Sequence, residues 1–366
     1  MRAPATLRGM RENSSGDAGG DGSPARAKTR RRWRRLGIAL GVITAIVLIG
    51  AVITSLTPWP SAMIIRSVFQ QGGTAAADEM RPYVPAAQLR ERAAIPYAEG
   101  SKDTTLDVFT PADEGDLRPT IVWVHGGAWI SGSTANIDPY LRILAAEGYT
   151  TIGVNYSVGP EQTYPTAVTQ LNEALAFIQE NADEFSVDTT QIVLAGDSAG
   201  AQLASQLATL VTSPRYAHLV GIEPALDAAQ LAGVILNCGV YDLRAMAELN
   251  GLPAWGFKVA LWAYTGTKDW SELPVGATMS TIEFVTADFP PTYISGGNGD
   301  GLTWLQSIPM AQRLDELGVP VTELFWPAPH KPQLPHEYQF HLDLPEAQEA
   351  LTATIDWLNE TTTLPR

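Results

Sequence analysis

Three of the chain's five histidines crowd into residues 328–342, APHKPQLPHEYQFHL: His330, His336 and His341. A metal site, one general base with two bystanders, and a plain surface loop are the chemistries open to them. Spacings of six and five match neither an H-x-H strand nor an H-x-x-x-H helix, which argues against a common metal. A histidine base needs a nucleophile to deprotonate and a carboxylate to hold its tautomer. GDSAG, Gly196 to Gly200, supplies a candidate nucleophile in Ser198. It follows the apolar strand-like QIVLA and opens the helical run AQLASQLATLV. In that setting a serine is thrust up on a sharp turn, beside free N–H groups and the positive end of a helix dipole.

The second motif is HGGAW, His125 to Trp129, directly after another strand-like run. Together HGGAW and GDSAG resemble the hormone-sensitive-lipase-like esterases of the α/β-hydrolase fold. NYSVGPEQTYP (155–165) is similar to that family's Tyr-Arg-Leu-Ala-Pro-Glu segment, and the resemblance extends over roughly residues 94–360. It implies an oxyanion hole in which Gly127, Ala128 and Ala199 donate backbone N–H groups and Gly126 shapes the loop. It also implies that His125 is structural. Ala128 stands where the family has a third glycine, so a Cβ is present and the loop is expected to avoid positive φ there.

In this fold the triad runs along the chain as Ser, acid, His. Asp300, in GGNGDGLT after the strand-like PTYISG, fits the acid, and GDGL resembles the family's Asp-Pro-Leu. Asn-Gly-Asp-Gly is also good turn chemistry. Asp197 flanks Ser198 on the elbow and is expected to point away. For the base, His330 lies four residues past the run VTELFW, a natural distance. His336 opens HEYQF, which resembles the family's His-Gly-Phe, and Tyr338 and Phe340 could anchor that loop. The expected triad is Ser198, Asp300 and His336, with His330 the alternative base.

These residues need a scaffold. TLDVF (105–109), PTIVWVH (119–125), TTIGVNY (150–156), QIVLAG (191–196), LAGVILNC (231–238), PTYISG (291–296) and VTELFW (321–326) read as strands. Helical patterns fill 164–183, 199–212, 303–317 and 346–360. The alternation predicts an α/β protein, an α/β-hydrolase fold with a mostly parallel central sheet flanked by helices. The aromatic stretch 241–290, with Trp255, Trp262, Tyr264 and Trp270, predicts a partial helical lid inserted in a catalytic domain at 93–366. A second lid or linker region occupies 58–92, where Met63, Ile64, Ile65, Val68 and Phe69 fall on one face of a short helix over 58–70.

Charge divides the chain. Residues 1–35 carry ten Lys/Arg and three Asp/Glu, the other 331 carry 14 and 36. The first stretch reads as a disordered basic tail. An acidic body offers no footprint for nucleic acid. Residues 36–56, LGIALGVITAIVLIGAVITSL, carry no charge, and about 20 such residues span a bilayer. A transmembrane helix is expected, with a cleaved signal peptide as the rival reading. Basic residues on its N-terminal side predict a cytoplasmic N-terminus and an extracytoplasmic catalytic domain. The single cysteine, Cys238, excludes an intramolecular disulfide and reads as a buried hydrophobe.

The resulting expectation is a membrane-anchored serine carboxylesterase acting through an acyl-enzyme on small ester substrates, without cofactor or metal. The resemblance implies short- to medium-chain acyl groups. An amidase or peptidase using the same triad, or a non-catalytic hydrolase-fold binding protein, are the alternatives.

Overall fold

The computed structural model describes residues 24–112 and 116–365. The chain divides into two compact units, one ending at Leu56 and the other Thr57–Arg366. In the first unit, helix α1 runs Pro24–Leu56. Its Arg31–Leu56 stretch is long and apolar enough to cross a membrane, a test that a signal sequence also passes. The helix corrects the expectation of disorder for residues 24–35. Arg, Lys, Ala and Leu are good helix formers, and a long apolar helix already nucleated beside them propagates backward at low cost. Residues 1–23 of that expected tail lie outside the described residues.

The second unit opens with helix α2, Trp59–Met80. It continues ten residues past the expected amphipathic stretch, through Gly72 and Gly73. A Cβ on Gly73 would sit 2.8 Å from the Asn136 amide, so glycine is what permits the close approach here.

Eight strands follow: β1 (Leu89–Pro96), β2 (Thr105–Pro111), β3 (Arg118–Val124), β4 (Thr150–Val154), β5 (Val187–Asp197), β6 (Leu231–Asn237), β7 (Thr292–Gly296) and β8 (Val321–Phe325). They form one sheet in the order β1-β2-β4-β3-β5-β6-β7-β8. The pairs β1–β2 and β2–β4 are antiparallel and the others parallel. The seven strands expected from sequence are all present. The eighth, β1, is an edge strand whose residues LRERAAIP are mostly exposed, so it lacks the apolar signature of the central strands.

The remaining helices are α3 (Asp138–Ala146), α4 (Thr166–Glu180), α5 (Ala182–Phe185), α6 (Ala199–Thr212), α7 (Pro214–Val220), α8 (Leu243–Glu248), α9 (Leu252–Thr265), α10 (Pro274–Met279), α11 (Ile308–Glu316) and α12 (Pro345–Thr361). They cover both faces of the sheet. Val122, Val124, Leu194 and Leu236 face one core, and Ile121, Trp123, Val193 and Ile235 face the other. Alternate side chains thus bury on opposite faces, which is why these strands read as unbroken apolar runs. The expected lid insertion folds into α8, α9 and α10. Ala62 of α2 packs with Val259, Ala260 and Ala263 of α9, and both helices meet Ala128 and Ile130.

Register sets the site. Val124 pairs with Gly196, Asp197 with Asn237, and Asn237 with Ser295. The loops carrying residues 125–131, Ser198, Cys238 and Asp300 therefore leave the sheet at one level, on its C-terminal edge.

Candidate active site

Ser198 sits between β5 and α6 with φ 52° and ψ −118°, a strained conformation for a residue with a Cβ. Its N–H is held by the Asn237 carbonyl at 2.8 Å. The turn closes because of flanking glycines: a Cβ on Gly200 would lie 2.0 Å from the Val124 carbonyl oxygen, and one on Gly196 2.4 Å from the Gly200 carbonyl carbon.

The three clustered histidines do not share a site. His330 Nε2 meets Glu346 at 2.7 Å, and His341 Nδ1 meets Glu79 at 3.0 Å. His336 alone reaches both remaining partners, with Nδ1 2.7 Å from Asp300 Oδ2 and Nε2 2.9 Å from Ser198 Oγ. A carboxylate only accepts, so it fixes the proton on Nδ1 and leaves Nε2 to accept from the serine. The other Asp300 oxygen accepts from Leu302 N at 2.9 Å. Burial by itself would lower the His336 pKa. The hydrogen bond to Asp300, the adjoining Cys238 sulfur and the charges of Asp300 and Glu337 oppose this and hold it well above 6.5.

The loop bearing His336 is anchored as the aromatic spacing suggests. Tyr338 and Phe340 are buried, Phe340 against Trp123 and Tyr140. Trp326 Nε1 donates to Tyr338 Oη at 3.0 Å. Asn298 ties the acid loop to the same segment. Its amide donates to His330 O at 3.0 Å, and its carbonyl accepts from Leu334 N at 2.9 Å.

The loop after β3 is a tight turn. Gly127 O accepts from Ile130 N and Ser131 N, at 3.1 and 3.0 Å. Among the described residues no backbone or side-chain acceptor is recorded for the N–H groups of Gly127 and Ala128. Ala199, first in α6, likewise lacks an intrahelical acceptor for its N–H. Gly126 N–H is instead committed to Asp197 Oδ2 at 2.8 Å, and a Cβ there would lie 2.3 Å from that oxygen. Gly126 thus contributes shape, not a free donor.

One expectation is overturned. Ala128 and Trp129 adopt φ 53° and 59°, in the left-handed region. Such a conformation costs about 1–2 kcal/mol per residue. Packing outweighs the cost. Trp129 is fully buried, stacks on Tyr264 at 5.7 Å and donates Nε1–H to Gln202 at 2.9 Å, while Ala128 wedges under α2 and α9.

Three more residues complete the arrangement. Asp197 is buried and points away from the serine proton, but it also accepts from Trp123 Nε1 at 2.8 Å. Burial first, and then the charge of Glu337, raise its pKa well above the ordinary carboxyl value. His125 stacks on Tyr156 at 4.4 Å and donates Nδ1–H to Gly126 O, and burial lowers its pKa to about 4. Among the described residues it makes no hydrogen bond to Ser198, and it serves the loop. Cys238 is buried with φ 53°, and its Sγ donates to Gln339 Oε1 at 3.3 Å beside the His336–Asp300 pair.

The BD-FAE family model matches residues 106–314, more than half of the chain. The chain belongs to the BD-FAE family. Esterase LipQ of Mycobacterium tuberculosis is 28% identical over 238 residues, 63% of this chain and 53% of that protein. Protein R526 of Acanthamoeba polyphaga mimivirus, whose name proposes an alpha/beta hydrolase, is 28% identical over 60% of this chain and 62% of its own length. The BD-FAE chain thus matches little more than half of these curated relatives. Among solved structures, esterase B from Lactobacillus rhamnosis superposes with a TM-score of 0.67 at 25% identity, covering 81% of this chain and 96% of that one. The thermostable carboxylesterase EstE1, from a metagenomic library, has a TM-score of 0.66 at 20% identity, covers 83% and 98%, and speaks to fold alone. The α/β-hydrolase fold is therefore shared throughout. Within the BD-FAE chain, the matched segment holds Ser198 and Asp300 and stops short of His336.

Sequence reading passed over Glu337, Asn298 and the holding role of Asp197. Glu337 carried one signal, a charged side chain in the position of the resembling family's glycine.

Proposed function

We propose that this BD-FAE chain is a serine carboxylesterase. The observation that carries the reading is the continuous hydrogen-bonded chain from Asp300 through His336 to Ser198 Oγ. In this reading Ser198 Oγ attacks the ester carbonyl carbon while its proton passes to His336 Nε2. The developing oxyanion is met by the free N–H groups of Gly127, Ala128 and Ala199, each such donor being worth about 100- to 1,000-fold in rate. The tetrahedral intermediate breaks its C–O bond, Nε2–H gives its proton to the leaving alkoxide, and the alcohol departs. A water then repeats the sequence on the acyl-enzyme and releases the acid. The apolar cover from α2 and α9 and the buried Trp129 favour apolar acyl groups, and the family resemblance implies short- to medium-chain ones.

The apolar helix α1 is read as a membrane anchor. The Lys/Arg run in its first turns, ahead of the apolar stretch, supports a cytoplasmic N-terminus with the catalytic unit outside.

Purified full-length protein in detergent is to be assayed on p-nitrophenyl esters from acetate to palmitate. Turnover peaking at short to medium chains, and lost by about four orders of magnitude in Ser198→Ala, is expected. Retention within tenfold in Ser198→Ala would end the serine mechanism. Anilides cleaved as fast as the matching esters would move the assignment to an amidase.

A further inference from the structure

A cavity of about 240 Å³ lies between α2, the 125–132 loop and the segment after His336, and its walls include Phe69, Gly127, Asp197, Glu337 and Phe340. Glu337 Oε1 stands 3.7 Å from His336 Nε2, the atom that also meets Ser198 Oγ. Glu337 thus links the cavity, of which it is a wall, to the reacting centre at Nε2. A leaving oxygen taking its proton from Nε2 must come within about 3 Å of that nitrogen. Atoms two or three bonds beyond that oxygen then reach the neighbourhood of the Glu337 carboxylate.

The charges lining this space do not balance. No Lys or Arg is among its walls. Burial keeps His125 uncharged, and burial together with Glu337 favours the protonated form of Asp197. Glu337 is the acidic side chain of the wall that faces His336 Nε2. The residue is also held at φ 58°, a left-handed conformation that a glycine would adopt at no cost. Beside it the walls include Phe69 and Phe340, and aromatic rings attract cations.

We propose that this cavity receives the alcohol portion of the ester and that Glu337 selects alcohols bearing an ammonium group. The inference rests on the esterase reading above. Nε2 would release the alcohol into a space where a carboxylate and two aromatic rings complement a cation. An ester whose alcohol carries a carboxylate would meet Glu337 with like charge and be rejected.

The test compares butyrylcholine with its uncharged carbon isostere, 3,3-dimethylbutyl butyrate, on the full-length protein and on Glu337→Gln. Wild type should favour the choline ester in kcat/KM by about tenfold or more, as an interaction with a charged partner supplies. That ratio should fall to near one in Glu337→Gln and shrink in wild type as salt is raised. Taking the ratio cancels any effect of the substitution on folding or on His336, since both esters use the same base. A wild-type ratio near one, or a ratio unchanged in Glu337→Gln, overturns the inference while leaving the esterase reading intact. If p-nitrophenyl butyrate is not hydrolysed either, the esterase reading fails and the inference falls with it.

Discussion

Replacing Asp197 by Asn tests whether the oxyanion loop is held from behind by a buried carboxyl group. Asp197 faces two buried donors, Trp123 Nε1 and Gly126 N–H, each at 2.8 Å and each on its own oxygen. Asn is nearly isosteric but has one acceptor and one NH2 group. Whichever way the amide turns, one donor confronts another donor. An orphaned buried donor costs about 1–3 kcal/mol, so Asp197→Asn should destabilise the protein by about 2 kcal/mol. If Gly126 loses its acceptor, the adjoining N–H groups of Gly127 and Ala128 shift. Ester turnover should then fall about 10- to 1,000-fold, bounded by the loss of one oxyanion donor. Stability is read by urea unfolding followed through tryptophan fluorescence. A Trp123→Phe background supplies the control: it removes one of the two donors, so the Asn oxygen can serve Gly126 alone. In that background Asp197→Asn should cost about 1–2 kcal/mol less. A cost below about 0.5 kcal/mol in both backgrounds, or an equal cost in both, refutes the reasoning.

His336→Ala should lose nearly as much activity as Ser198→Ala, because the triad acts as a unit, whereas His330→Ala should lose little; the reverse ranking would make His330 the base. The His336 pKa is held above 6.5, and only the unprotonated ring accepts the serine proton. The acid limb of kcat/KM should therefore lie above pH 6.5 and move lower in Glu337→Gln, and a limb unmoved by that change would separate Glu337 from the base. His125 titrates near 4 when buried and near 6.5 when unfolded. Below 6.5 the unfolded chain binds the extra proton, so this residue's contribution to stability falls as pH drops from 6.5 to 4, by about 3 kcal/mol in all. Urea midpoints of wild type and His125→Gln across that window should show a flatter profile in the variant. Protease added to intact spheroplasts should digest the catalytic unit, and full protection until lysis would reverse the orientation argued from the basic N-terminal flank.

The residues themselves carried the central sheet and the proposed nucleophile. β3, β4, β6 and β7 are buried over most of their length, so their apolar, β-branched runs are visible without any knowledge of neighbours. GDSAG is equally local, because a strand, a tight turn and a helix are all written in contiguous residues. α6 begins and ends where its pattern predicts. The proposed base was harder. His330, His336 and His341 each find a carboxylate, and only the tertiary fold shows which of those carboxylates is Asp300. That pairing spans 36 residues and depends on the β7 and β8 loops meeting, which Asn298 secures. Edge strand β1 escaped notice because its faces are exposed and polar. The positive φ of Ala128 ran against local sterics because Trp129, Tyr264 and α9, distant in sequence, impose it. Asp197 and Glu337 are the sharpest case. Adjacent to Ser198 and His336 in sequence, they look like flanking charges, and only the fold brings both carboxyl groups to the same glycine, Gly126. Sequence specifies what neighbours along the chain can do alone, whereas a site assembled from loops of different strands exists only once the sheet register has aligned them.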